Sequence, residues 1–295
     1  MKKVYKSKQS ESILMELYYK QIESLNIAYE DLFAETRFGK AHIVKLGKPD
    51  GKPLLLFHGG NSTTPYSLGR FWNLLAHLSS SLCIYAVDTV GHPGKSSQTL
   101  LSHKGAEYGQ WASDVITSLG FAKMYCMGSS FGAGILVKLM CVAPSKIEKS
   151  VLIVPSGIAN MSTFNIMLSM GVPMIIYNLT KNEYWLKKAV LPMAIDEKNI
   201  DDAFYEMVKI SFDHVAVKTS MPSNVSPAEL AQYTAPTLLV AAERDCLFPG
   251  RKVMAKAKIM IPNLETYLLQ NQGHLCVLPD EVKNMIRSFL ENDDA

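Results

Sequence analysis

The stretch Gly128-Ser129-Ser130-Phe131-Gly132 places a serine hydroxyl between two glycines, directly after a short apolar run that reads as a strand. A helix-like run begins at Phe131. Glycine two positions before and two positions after Ser130 lets the backbone reverse without Cβ clashes, which pushes the hydroxyl into the open at the strand end. The positive end of the following helix favours negative charge nearby. A serine hydroxyl is a weak nucleophile near neutral pH, so it needs a base within hydrogen-bond reach and an acid that orients this base. Two later segments offer both: "AAERDCLFP" puts Asp245 just past one strand, and "LLQNQGHLCVL" puts His274 just past the next. Glu243 is the nearest rival acid but lies closer to its strand, and no carboxylate follows "VLIVPSG". Acyl transfer also builds an oxyanion that needs backbone N–H donors already in place. "FHGGNS" follows the strand Leu54 to Phe57 with a bare glycine backbone, so Gly60 N–H and Phe131 N–H are the expected pair. Asn61 and Ser129 are expected to contact substrate beside them, and His58 to brace the loop rather than act as a second base.

These residues need a scaffold that brings four strand ends to one rim. Residues 11–25 carry Ile13, Leu14, Leu17, Tyr18, Ile22 and Leu25 at helical spacing, an amphipathic helix whose apolar face packs on the rest of the chain. "LFAETRFGKAHIVKLG" alternates and turns at Gly39, the pattern of a β-hairpin. Short apolar runs then alternate with helical patterns through "KSVLIVPSG", the signature of βαβ units around a parallel sheet covered on both faces. After Gly157 about seventy residues of helical patterning interrupt this rhythm, until "APTLLVAAERD" and "LETYLLQNQGH" restore two strands. The expected division is a core of residues 1–157 and 231–295 with a helical cap inserted at 158–230, packed on the loop end of the sheet.

Taken together, the motifs resemble the α/β-hydrolase superfamily, in its cap-carrying, carboxylesterase-like branch, over about residues 30–292. "DTVGHPGKSS" resembles the family's D-x-x-G-x-G-x-S loop, with Gly91, Gly94 and Ser96 or Ser97 in the matching places and Pro93 a local variant, and a structural role is expected for it. The resemblance implies an α/β-hydrolase fold: a mostly parallel eight-stranded sheet, helices on both faces and an inserted helical cap. It implies the triad Ser130, Asp245 and His274, and serine rather than aspartate at the elbow speaks against haloalkane dehalogenase and epoxide hydrolase chemistry. HGGNS in place of HGGPG weakens a proline iminopeptidase assignment. The expected function is serine hydrolysis of a carboxylic ester with a small or medium apolar acyl group, through an acyl-enzyme. A C–C bond hydrolase and a cofactor-free haloperoxidase or perhydrolase share the same triad, and a catalytically weak ligand-binding protein on this fold is the alternative of another class.

Composition bounds the rest. Of 295 residues 48% are hydrophobic and 19% charged, enough apolar area to build a large core. A net charge of +3 without a dense Lys/Arg run argues against a nucleic-acid surface. Five cysteines without CxxC spacing read as free, buried thiols, and Glu11, Glu16 and Lys20 interrupt any signal-peptide core, so a cytoplasmic location is expected. "FNIMLSMGVPMIIYNL" is too short and too broken to span a membrane and is expected as a cap or core helix. No zinc spacing, Walker loop or G-x-G-x-x-G occurs, so neither metal nor cofactor is expected, and a small-molecule ester is the expected partner. Seven methionines in the cap stretch, Met161, Met167, Met170, Met174, Met193, Met207 and Met221, offer deformable apolar surface, most of it expected to pack the cap helices together.

Overall fold

The computed structural model describes residues 4–216 and 220–292. The chain enters through helix α1 (Lys8–Ser24), capped by the Ser7 side chain accepting from Ser10 N–H, with Leu14, Leu17, Tyr18 and Ile22 turned inward. The hairpin comes next as β1 (Glu30–Thr36) and β2 (Gly39–Gly47), paired antiparallel from Glu30↔Lys45 to Thr36↔Gly39. The βαβ rhythm then runs through β3 (Lys52–Phe57), α2 (Thr64–Arg70), α3 (Trp72–Leu78), β4 (Leu82–Val87), α4 (Glu107–Ser118), β5 (Met124–Ser129), α5 (Phe131–Val142) and β6 (Ile147–Ile153). After a long connection it closes with β7 (Thr237–Ala242), α10 (Gly250–Met260), β8 (Leu264–Leu269) and α11 (Asp280–Glu291).

Eight strands form one sheet in the order β1-β2-β4-β3-β5-β6-β7-β8. Among the strands of the described residues, β1·β2 and β2·β4 pair antiparallel, and β4, β3, β5, β6, β7 and β8 run parallel. Every residue of β4, β5 and β7 is buried, as a parallel sheet covered on both faces requires. One apolar cluster joins β3 and β5 to Trp111 of α4 and Leu136 of α5, and a second packs α3 and α11 on the opposite face. The carboxyl ends of β3, β5, β7 and β8 therefore share one rim, the end at which open parallel sheets bind ligands.

The β6–β7 connection carries α6 (Thr163–Ile166), a π-turn (Met167–Gly171), α7 (Val172–Thr180), α8 (Glu183–Ala194) and α9 (Asp202–His214). Positions 217–219 of the expected cap lie outside the described residues. Two of the hydrogen bonds that tie this connection to the core lie beside the site loops: Met161 N–H donates to Leu247 O at 2.8 Å, and Leu275 N–H to Met193 O at 3.0 Å. Residues 163–180 of this connection expose Phe164, Leu168, Val172, Ile175 and Leu179, while the following stretch exposes charged side chains such as Lys187 and Lys188. No helix among the described residues is long and apolar enough to cross a membrane. The chain start docks on the end of this connection, where Tyr5 bridges Val215 and Lys6 N–H donates to His214 O.

Candidate active site

Ser130 stands between β5 and α5 with φ +53° and ψ −115°, a left-handed backbone that a non-glycine residue adopts only when its surroundings impose it. Those surroundings are explicit. Ser130 N–H donates to Ile153 O at 2.9 Å, and its carbonyl accepts from Gly134 N–H at 3.1 Å and Ser156 N–H at 3.2 Å. The flanking glycines are required by close approach: a Cβ at Gly128 would lie 2.7 Å from Ala133 N, and one at Gly132 would lie 2.4 Å from Phe57 O.

The loop after β7 brings Asp245, 4% exposed, to face the loop after β8. Asp245 Oδ1 accepts from Leu247 N–H at 2.7 Å and Phe248 N–H at 3.0 Å, which leaves Oδ2 for His274 Nδ1 at 2.8 Å. A carboxylate only accepts, so Nδ1 carries the proton and Nε2 presents its lone pair, 2.9 Å from Ser130 Oγ. The Phe248 ring meets the imidazole edge to face with centroids 5.3 Å apart. Gly273 admits this turn because a side chain there would strike Met193 O at 2.5 Å. Glu243 is engaged elsewhere, accepting from Arg251 at 2.5 Å and from Asn271 N–H at 3.0 Å.

The loop after β3 lies against the serine. A Cβ on Gly59 would reach Ser130 Cβ at 3.9 Å, and one on Gly60 would reach Phe131 Cβ at 3.2 Å. Phe131 opens α5, so its N–H is one of the first-turn donors that a helix leaves without an intrahelical acceptor. His58 braces this loop: its Nε2 accepts Thr89 N–H at 2.9 Å, so Nδ1 donates to Gly59 O at 2.7 Å. Burial pushes the His58 imidazole below its ordinary value, partly offset by the Asp88 charge, which holds it neutral in that role.

A cavity of about 130 Å³ opens on Ser130, lined by Gly60, Ser129, Val154, Met193, Met221 and His274 among others. Ser129 is on the wall of this cavity. Asn61 is not on this wall: with φ +52° it turns the loop, and its carbonyl accepts from Ser211 Oγ of α9 at 2.7 Å. Of the seven methionines in the connection only Met193 and Met221 reach the cavity, whereas Met207 is buried against Leu14 and Leu17 of α1 and Met167 is half exposed. Arg70, Tyr66 and Phe71 also line it, and no motif announces them, since they come from the ordinary helical run "TPYSLGRF".

The loop after β4 is structural. Asp88 Oδ2 meets His42 Nδ1 at 2.9 Å and Lys95 N–H at 2.8 Å, and Ser96 Oγ donates to Asp88 O at 2.6 Å, which identifies Ser96 rather than Ser97 as the motif serine. Gly94 has φ +147°, and a Cβ there would strike Asp88 Cγ at 2.7 Å. Burial pushes the Asp88 carboxyl up, but the His42 hydrogen bond and charge outweigh it and leave it below the usual carboxylate range. All five cysteines are free thiols. No cluster of His, Cys, Asp and Glu suited to a metal ion occurs among the described residues.

A strand-turn-helix serine, an acid and a histidine on later strands and a glycine loop at one sheet rim define the α/β hydrolases. A profile described as the alpha/beta hydrolase family matches residues 54–283, and the chain belongs to that family. Among individual proteins it is 26% identical over 274 residues to carboxylesterase YbfK of Bacillus subtilis, covering 90% of this chain and 88% of that one. The crystal structure of that esterase, CesB (YbfK), superposes with a TM-score of 0.80 at 22% identity, over 96% of this chain and 99% of the other. The naproxen esterase of B. subtilis superposes with a TM-score of 0.78 at 20% identity, over 94% and 97% of the two chains.

Proposed function

We propose that this protein is a serine hydrolase that cleaves a carboxylic ester of a small or medium apolar acyl group through an acyl-enzyme. The observation that carries this reading is the line of hydrogen bonds from Asp245 Oδ2 through His274 to Ser130 Oγ, at 2.8 and 2.9 Å, ending at a cavity. The names of the B. subtilis relatives, both carboxylesterases, support the same substrate class.

In this mechanism Ser130 Oγ attacks the ester carbonyl while its proton moves to His274 Nε2. The carbonyl oxygen becomes an oxyanion, held by the N–H groups of Gly60 and Phe131. Collapse of the tetrahedral intermediate breaks the bond to the alcohol oxygen, which takes the proton from Nε2 and leaves. Water then adds to the acyl-enzyme by the same route, His274 taking its proton and returning it to Ser130 Oγ as the acid departs. Asp245 holds the imidazole in the tautomer that keeps Nε2 free. The β6–β7 connection serves as the cap, with Met193 and Met221 shaping the acyl side and shielding the reaction from water.

Labelling with a fluorophosphonate probe, read by intact mass, tests this. The expected result is one adduct on the wild type, none on Ser130→Ala, and hydrolysis of short-chain esters lost in the same variant. A folded wild type that takes no label and cleaves no ester overturns the proposal and favours a ligand-binding role.

A further inference from the structure

The cavity at Ser130, about 130 Å³, is smaller than the 300–1,000 Å³ typical of small-molecule sites. Beside it lies a second cavity of about 600 Å³, bounded by α1, by α2 and α3, by the start of α9 and by Cys276 to Leu278. The two share four lining residues, Tyr66, Arg70, Phe71 and Cys276, so these side chains form a partition rather than the floor of either space.

Arg70 fastens the partition. One guanidinium nitrogen donates to Cys276 O at 3.1 Å, two residues beyond His274, and the other reaches Asp201 Oδ2 at 3.4 Å. Asp201 caps α9 through its second oxygen, which accepts Phe204 N–H at 2.7 Å. The contact to Asp201 is long and its carboxylate is half exposed, so water replaces it with little loss when the side chain swings away. The Tyr66 hydroxyl in the same wall is buried without a hydrogen-bond partner, a polar group that a ligand passing the partition could satisfy.

Resting on the esterase reading above, we infer that the larger cavity receives the alcohol half of the substrate and that Arg70 is the specificity-determining residue that separates it from the acyl site. The orientation comes from the proton path. The leaving oxygen must face His274 Nε2, and the larger cavity is walled by the segment just beyond His274. Met193, Met221 and Leu247 line only the smaller cavity, which also holds Ser130, Gly60 and His274, so its remaining apolar space takes the acyl half. Leu25, Pro65, Leu74 and Leu278 give the larger cavity an apolar interior, and Lys20, paired with Glu206 at 2.7 Å, belongs to its charged border. The occupant is therefore an uncharged bulky alcohol, aromatic or branched alkyl, rather than methanol or ethanol.

Ala203 lines only the larger cavity and lies on the exposed side of α9, so Ala203→Trp fills that space without entering the core. Two ester series are compared: acetates of ethanol, phenol and 2-naphthol, and ethyl esters of acetic and 2-naphthoic acid. For 2-naphthyl acetate Ala203→Trp is expected to lower kcat/KM about tenfold or more, with ethyl acetate and acetyl-enzyme hydrolysis changed by less than about twofold. Arg70→Ala, which removes the clasp of the partition and leaves Tyr66 and Phe71 in place, is expected to raise kcat/KM for 2-naphthyl acetate relative to ethyl acetate. An unchanged alcohol series in both variants overturns the inference, as does a loss confined to the ethyl 2-naphthoate reaction, which would put the acyl half in the larger cavity. Stoichiometric fluorophosphonate labelling of each variant, at whatever rate, shows an intact Ser130. Its absence from the wild type would instead sink the esterase reading, and this inference with it.

Discussion

One histidine–aspartate pair joins β2 to the loop after β4, and another sits at the cavity. His42 lies 2.9 Å from Asp88 through Nδ1 and 2.6 Å from Asp31 through Nε2, and its side chain is wholly buried. His274 lies 2.8 Å from Asp245 through Nδ1 and 2.9 Å from Ser130 Oγ through Nε2. What differs is the group at Nε2. Carboxylate oxygens meet both ring nitrogens of His42 and tie the ring down, whereas His274 Nε2 meets the Ser130 hydroxyl, a group that can donate to it. The same pair of residue types thus serves as a tether in one place and, in the proposed mechanism, as a base in the other.

The largest effect that separates them is on turnover. Asp245→Asn frees His274 to adopt the wrong tautomer and is expected to lower kcat by about 10³–10⁴-fold with the fold intact, measured by steady-state kinetics beside circular dichroism. An active Asp245→Asn enzyme would erase the distinction between the two pairs. Asp88→Asn is the mirror case. Breaking a wholly buried pair is expected to cost about 3–5 kcal/mol of stability in urea unfolding, while the protein that remains folded keeps kcat within about tenfold.

A third histidine sharpens the contrast because it is buried with no partner. His92 is 1% exposed, neither ring nitrogen has a hydrogen-bond partner, and its ring lies 4.6 Å from that of Phe131. Burial, with the His58 imidazole beside it, pushes its imidazole down to about 3. Between that value and the ordinary 6.5 the unfolded chain binds a proton that the folded chain refuses, so stability from this site is complete above about pH 6.5 and falls by about 1.4 kcal/mol per unit below it. By pH 5 the loss is about 2 kcal/mol. His92→Phe is expected to remove that share, read as a smaller stability difference between pH 7 and pH 5. An unchanged difference would mean that His92 is hydrated or partnered. The smallest effect concerns the elbow itself. At φ +53° glycine is unstrained, so Ser130→Gly is expected to be about 1 kcal/mol more stable than Ser130→Ala, by thermal unfolding. Equal stabilities would show that the turn holds no strain.

Ser130, Asp245, His274 and the glycines around them were legible because each comes just after an apolar run and sits in a turn whose chemistry is local. Glu243 was separated from Asp245 by position along the chain, and Arg251 and Asn271 account for it in space. Asn61 shows the limit. It comes right after the glycine loop in sequence, yet it is not among the residues lining the cavity: its left-handed φ turns the loop and its backbone carbonyl accepts from Ser211 of α9. The methionines of the β6–β7 connection show the same, since helical spacing does not say which of several neighbours a face will meet.

The sequence by itself determined the order of strands and turns, the candidate nucleophile, acid and base, and the two glycines without which Ser130 could not stand at φ +53°. These rest on hydrophobic period and on steric limits within a few residues, which chain neighbours alone impose. Only the tertiary structure decided that His42 is a tether, that Ser96 is the motif serine, and that Arg70 joins α2 to α9 and to the chain beyond His274. Each depends on groups far apart in the chain, such as Arg70 and Cys276, 206 residues apart. Their meeting is fixed by how helices pack over the sheet, and no local pattern records it.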